Sequence, residues 1–312
     1  MKILFISANR IGDAILSTGL LRHLADTYPS AEFTVACGPL CVDLFEGLPG
    51  LEQIIPMPKQ SWNRHWWHLW RRCAPFHWDI IVDLRNSLVS RLLRHGKLYL
   101  HRGGDENTHK VLENAAVMAL APPPAPKIWV SAAVDRQAAD LVGSGAPIIA
   151  LGPAANWYPK QWPAEKFAAL VATLLGDPAL AGNRVMVLAA AHERDAILPV
   201  LNAIPASQRI EIIGGSLSLA AACLQRAKVF IGNDSGLMHL AAAMGVPTLG
   251  LFGPGYEKIY GPWGGIALRT PESTAELLAR LPHPGAAAPN LMDSLPVATV
   301  VESVQGLLKN RQ

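Results

Sequence analysis

Cysteine is scarce in this chain: there are four in 312 residues, at positions 37, 41, 73 and 223. Cys37 and Cys41 lack a second ligand pair at zinc-like spacing, so neither a metal site nor a disulfide framework is encoded. All four read as reduced, packed thiols. Charge is scarce too. Charged residues make up 16% against 50% hydrophobic, which excludes a disordered chain, and a formal charge of +3 is too small to argue for a nucleic-acid partner. No apolar run approaches the roughly 18–20 residues that cross a bilayer. The opening MKILFISANRIGD has only a short apolar run that meets Arg10 and Asp13, unlike a signal peptide. A cytoplasmic protein is expected. Also missing are a G-x-x-x-x-G-K-[ST] phosphate loop, a G-x-G-x-x-G after the first strand, a D-x-D pair that would hold a metal–diphosphate, and a G-x-S-x-G elbow. Neither a metal nor a cofactor is expected.

The chain does carry length enough for two domains, each with its own core. Residues 2–8 (KILFISA) form a continuous apolar run, as in a buried parallel strand. A turn, a helix over 14–28 stopped by Pro29, and a strand over 32–37 follow. Parallel doubly wound sheets bind ligands beyond the carboxyl ends of their strands, and Arg10, Gly12 and Asp13 fall there. Gly12 permits close approach by a ligand. Asp13 is either a carboxylate at the rim of a cleft beside Arg10, or a helix-capping acid with Arg10 as its surface partner. A strand over 79–84 leads to Arg85 and Ser87 and a helix over 88–94. Arg91, Arg94, Lys97 and Arg102 then gather positive charge before His109 and Lys110. Such charge is a solvated face or, at the mouth of a cleft, a seat for an acidic acceptor.

Residues 62–78 (WNRHWWHLWRRCAPFHW) have the oddest composition in the chain. Trp62, Trp66 and Trp70 are spaced i, i+4, i+8, which predicts one helical stripe flanked by arginines. Two readings fit. The stripe packs on the sheet, the preferred reading for Trp66 and Trp70, or the helix lies at an anionic membrane surface as a peripheral contact.

A proline run at 121–126 is the clearest compositional break. An edge strand at 129–130 and a helix over 133–142 are expected before a boundary near residue 145. The first domain is thus read as 1–145 and the second as 146–295, with a terminal amphipathic helix, about 296–312, packing back on the first. In the second domain a strand over 148–151 opens a loop carrying Asn156 and Lys160, and a helix spans 164–175. Glu193 follows a strand over 184–189, as a ligand for sugar hydroxyls or as a helix cap. Residues 228–254 (KVFIGNDSGLMHLAAAMGVPTLGLFGP) read as strand, polar turn, helix and strand. Asp234 and Ser235 are good N-cap residues, Gly236 clears the helix mouth for an anion, and His239 lies one turn in on the same side.

That last segment resembles the nucleotide-sugar signature of glycosyltransferase family 9, the heptosyltransferases, close to G-N-D-[ST]-G-x-x-H-x-A-A-A-x-G-x-P. Two further segments resemble the same family: Arg10-Ile11-Gly12-Asp13 after the first strand, and the loop Gly152-Pro153-Ala154-Ala155-Asn156 with Lys160-Gln161-Trp162-Pro163. The second departs from the family pattern at Ala155-Asn156, where relatives carry Ser or Thr, so Asn156 or backbone amides must meet phosphate. The residues around Arg85, Ser87, Arg91 and Arg94, with His109, are similar to the family's acceptor side. The resemblance implies two Rossmann-like α/β domains with parallel sheets facing across a cleft (GT-B). It also implies an inverting transfer of heptose from ADP-heptose to a lipid-linked lipopolysaccharide inner-core acceptor at the inner membrane's cytoplasmic face. Asp13 would be the general base. Lys160 and the helix mouth would neutralise the departing diphosphate without a required metal ion. Glu193 would bind ribose, and Asp234 would orient sugar hydroxyls. Two other readings remain: a nucleotide-sugar epimerase, against which the basic rim counts, and a non-catalytic nucleotide-sugar-binding protein, against which Asp13, Lys160 and Asp234 count.

Overall fold

The long apolar runs of the sequence are the inner strands of two parallel sheets. In the computed structural model, which describes residues 1–105, 107–282 and 287–309, the chain divides into two compact units, Met1–Ala132 and Ala133–Gln312.

The first unit contains, in order, β1 (Lys2–Ile6), α1 (Ile11–Thr27), β2 (Glu32–Cys37), β3 (Leu51–Pro56), α2 (Arg64–Cys73), β4 (Trp78–Asp83), α3 (Leu88–Leu92), β5 (His95–Leu100) and α4 (Lys110–Val117). Its sheet is all parallel, with strand order β3-β2-β1-β4-β5. Ile3, Leu4, Phe5 and Ile6 of β1 are fully buried, because a central strand with helices on both faces has no side to show to water. α1 buries Ile15, Leu16, Leu20, Leu21 and Leu24, and α4 is tied to it by Asn114 Nδ2, which donates to the Leu16 carbonyl at 3.1 Å. Residues 129–130, expected as an edge strand, run as irregular chain. The Trp129 carbonyl lies where a side chain on Gly47 would stand, so this segment packs on Gly47 instead of joining a ladder.

The second unit contains α5 (Ala132–Val142), β6 (Ile148–Gly152), α6 (Ala164–Gly176), β7 (Arg184–Ala189), α7 (Leu198–Ala203), β8 (Arg209–Ile213), α8 (Leu217–Leu224), β9 (Val229–Asn233), α9 (Gly236–Ala243), β10 (Thr248–Phe252), α10 (Glu257–Tyr260), β11 (Ile266–Arg269), α11 (Thr274–Leu278) and α12 (Val297–Lys309). Its parallel sheet has the order β11-β10-β9-β6-β7-β8. Trp162 is buried beneath it, edge-on to Phe167 and donating Nε1–H to the Leu295 carbonyl at 3.0 Å.

One expectation changes here. The units part at residue 132, not near 145, because α5 buries Ala138 and Val142 in the second unit and Arg226 grips Asp135 through its carbonyl and its carboxylate, at 3.0 and 2.9 Å. The terminal helix α12 packs on α6, in the core of its own unit. Val300, Val304 and Leu308, one stripe at i, i+4, i+8, are buried there. Three such side chains contribute on the order of 5–9 kcal/mol, enough to hold the helix to that face. Residues 310–312 of the expected helix lie outside the described residues.

The four cysteines are buried and unbridged, and burial pushes the thiols of Cys37, Cys41 and Cys73 up to about 12. Among the described residues, no helix is long and apolar enough to cross a membrane.

Candidate active site

Each sheet reverses the direction of its strand order once, between β1 and β4 in the first unit and between β6 and β9 in the second. At such a reversal the loops beyond the strands' carboxyl ends part toward opposite faces and leave a crevice, where open α/β sheets bind ligands. Most of the expected site residues gather at these two points; Glu193, which follows β7, stands outside them.

At the first, Asp13 lies in the opening turn of α1 behind Gly12. Arg10 holds the N-cap position in extended backbone, with no side-chain cap. Asp13 Oδ1 is buried with no hydrogen-bond partner. Burial raises the Asp13 pKa above the ordinary carboxylate value; Lys110 and Arg10 draw it down, and Glu113 pushes it up. Glu113 is itself clamped, with Lys110 Nζ donating to Oε1 at 2.7 Å and His101 Nε2 on the same oxygen. Burial pushes Glu113 up too, but the bonds from Lys110 and His101 outweigh it and hold this carboxyl low. His109 caps α4, its Nδ1 accepting the Val111 N–H at 3.2 Å.

The residues after β4 stand on the other side of the same reversal. Asp83, the last residue of β4, is fully buried. It accepts from the Arg85 and Ser87 amides at 2.8 Å each and from Ser87 Oγ at 2.6 Å. Arg91 donates to the Ser87 carbonyl at 2.9 Å and Asn86 Oδ1 at 2.7 Å, and Arg94 to the Pro75 carbonyl at 3.0 Å. Arg85 lies over the Trp66 ring, 4.4 Å from its centre. Ser87 therefore serves the loop, and each of these guanidinium groups has a fixed seat.

At the second reversal, Lys160 Nζ meets Asp234 Oδ2 at 3.1 Å. Lys160 ends the short 3-10 turn Tyr158–Lys160 in the loop after β6, and Asp234 follows β9. The floor beneath them is made of glycine. Gly152 and Gly232 are register partners, and a Cβ on either would come within 2.7 Å of the Phe230 ring. Gly255 lies against the Asp234 carboxylate, where a Cβ would stand 2.6 Å from Oδ2. Ser235 occupies the N-cap of α9 in extended backbone, yet its hydroxyl caps nothing, and Oγ is buried with no partner. The first amides of α9, at Gly236 and beyond, are thus uncapped by a side chain, which suits an anion. His239 is buried one turn further on. Asn156 is exposed in the same loop as Lys160. Glu193 accepts the Ala190 N–H at 2.8 Å through Oε2, so it performs the capping role of its two readings.

The family model for glycosyltransferase family 9 (heptosyltransferase) matches residues 105–269, just over half of the chain. The chain belongs to glycosyltransferase family 9. Lipopolysaccharide heptosyltransferase 2 of Salmonella typhimurium is 28% identical over 296 residues, covering 81% of this chain and 83% of that one. The crystal structure of a family 9 glycosyltransferase from Veillonella parvula superposes with a TM-score of 0.78 at 19% identity, covering 99% of this chain and 97% of the other. The E. coli ADP-heptose lipopolysaccharide heptosyltransferase II does so with 0.75 at 24% identity, covering 100% and 99%. The fold is thereby that of the GT-B heptosyltransferases, two Rossmann-like domains with parallel sheets.

Several residues that shape this candidate site escape sequence reasoning. Asn233, the last residue of β9, is fully buried; its Oδ1 accepts the Trp162 N–H at 2.9 Å and its Nδ2 donates to the Pro153 carbonyl at 2.7 Å. It clamps both ends of the loop that carries Lys160, as Asp83 clamps the loop after β4. The available signal was a polar residue closing an apolar strand, which must find partners when buried. His101 and Glu113 left a weaker trace, a histidine just beyond an edge strand and a carboxylate three residues after Lys110.

Proposed function

We propose that this enzyme moves heptose from ADP-heptose to an inner-core sugar of a lipid-borne lipopolysaccharide acceptor, inverting the anomeric carbon. The observation that carries the reading is the Lys160–Asp234 pair at 3.1 Å beside the uncapped start of α9. A cation and outward amides suit a diphosphate, and a carboxylate suits sugar hydroxyls. The relatives' names support the rest, one being an ADP-heptose lipopolysaccharide heptosyltransferase and another a lipopolysaccharide heptosyltransferase 2.

On this reading Asp13 is the general base. Its ionised carboxylate takes the acceptor hydroxyl's proton as that oxygen bonds to the anomeric carbon. The bond from that carbon to the diphosphate breaks on the opposite side, and its electron pair leaves on ADP. Lys160 Nζ and the amides at Ser235 and Gly236 meet the new charge, with no metal ion required. Asp234 orients the sugar, and the enzyme works in the cytoplasm on an acceptor at the inner face of the inner membrane.

Calorimetric titration tests the donor half. ADP should bind more tightly than UDP, and Lys160→Ala should weaken ADP by about ten- to a hundredfold, the usual worth of a charged hydrogen bond. A preference for UDP, or unchanged ADP affinity in the variant, would overturn it.

A further inference from the structure

The tryptophan-rich segment is only partly absorbed by the core. α2 buries His65, Leu69 and Cys73, and its partly buried Trp66 and Trp70 pack against the same core as Ile81 and Val89. The opposite face carries Arg64, Trp67, His68, Arg71 and Arg72, all exposed and at i, i+3, i+4, i+7, i+8. Trp62 is not part of the helical stripe: it precedes α2 in left-handed backbone and is 95% exposed. Trp67 is 59% exposed. The neighbouring α3 repeats the arrangement on a smaller scale, with Leu88 and Leu92 67% and 62% exposed and Arg91 between them. Single exposed apolar residues are ordinary, but several bulky ones on two neighbouring helices are not.

The charge around them is one-sided. Residues 53–104 hold nine Lys and Arg against two Asp, a surplus of +7 in a chain whose total is +3. Both acids are engaged: Asp79 accepts the Lys2 amide at 2.7 Å, and Asp83 is buried in its loop. This surface would repel a second copy of itself. Tryptophan at interfacial depth with arginine beside it matches instead the two components of an anionic bilayer surface, acyl boundary and charged headgroup.

We infer that Trp62 and the outward faces of α2 and α3 seat this protein on an anionic lipid bilayer. Arg85, stacked on Trp66, links this surface to the loop after β4, so a seated enzyme holds the rim of its first crevice at the membrane. The inference extends the proposed function, since a lipid-borne acceptor lies in that plane. It is tested without donor or turnover, so either can fail alone.

The experiment is co-sedimentation of the full chain with phosphatidylcholine vesicles in which phosphatidylglycerol is about a quarter of the lipid. Binding is expected on these vesicles, little on pure phosphatidylcholine, and progressive release as salt rises. The triple change Arg64→Gln, Arg71→Gln, Arg72→Gln should weaken partition about a hundredfold, and Trp62→Ser with Trp67→Ser about tenfold. ADP titration of the same variants verifies that they are folded. Equal partition to both vesicle types, or variants that bind like the parent, would overturn the inference. So would lipid-free self-association that Trp67→Ser abolishes, or failure on vesicles with retention by an oligonucleotide.

Discussion

The two sheets share one strand order around their reversal points and furnish those points in opposite ways. In the second unit, Asp234 has a cation 3.1 Å away and a glycine pressed against its carboxylate. In the first unit, Asp13 keeps one buried oxygen unbonded, and burial lifts its pKa. A carboxylate that only holds sugar hydroxyls gains from a fixed partner. One that must take a proton loses basicity to every donor placed on it. The contrast teaches that an acid's task is set by what its neighbours leave undone.

The largest effect should come from removing that unbonded acid. Asp13→Asn should reduce turnover by about 10²–10⁴-fold, the range for a lost general base, with ADP affinity unchanged. The same substitution should stabilise the fold. The folded-state pKa of Asp13 is raised, so ionising it costs stability above the unfolded-chain pKa, a cost that vanishes as pH falls below that value. Thermal unfolding at neutral pH should therefore show a higher midpoint for the variant. A less stable variant would mean that the Asp13 charge is satisfied after all, and the contrast with Asp234 would collapse.

The clamps beneath the two acids are the next place to press. Asp83 and Asn233 end equivalent strands, β4 and β9, and each binds its following loop from a fully buried position. Asn233→Leu leaves the Trp162 amide and the Pro153 carbonyl without partners. At about 1–3 kcal/mol each, the stability lost should be about 2–6 kcal/mol, read by denaturant unfolding. Because the loop between those two groups carries Lys160, ADP affinity should fall with it. Intact ADP binding would show that Lys160 is positioned by something other than this clamp.

The middle of each sheet was legible in the sequence, and of the four edge strands only β8, with its apolar Ile210, Ile212 and Ile213, was. β1, β6 and β7 carry continuous apolar runs because both faces are covered. β3, β5 and β11 stand at edges, half-buried or exposed, so their composition reads as loop. The charge near Arg102 hid a strand in the same way, since Lys97 points out of β5. Asp13, Lys160 and Asp234 could be singled out as candidates because they follow strands that were easy to see. Asp83 and Asn233 were missed because a buried clamp is recognised only by its partners, and for Asn233 one of these, Pro153, lies 80 residues away.

The smallest effect isolates the field around Asp13. Lys110 is the strongest influence opposing the burial that raises this carboxyl, while Glu113 pushes it up. A base must be ionised to act, so the rate should fall as pH drops through the Asp13 pKa. Lys110→Met removes the cation and should move that acid limb to higher pH. Glu113→Gln removes the competing anion and should move it to lower pH, even though both substitutions break the same 2.7 Å bond. Opposite displacements in the pH profile of kcat/KM are what an electrostatic role requires. If both limbs moved the same way, the Lys110–Glu113 pair would act by holding α4 in place, and Asp13 would owe its basicity to burial alone.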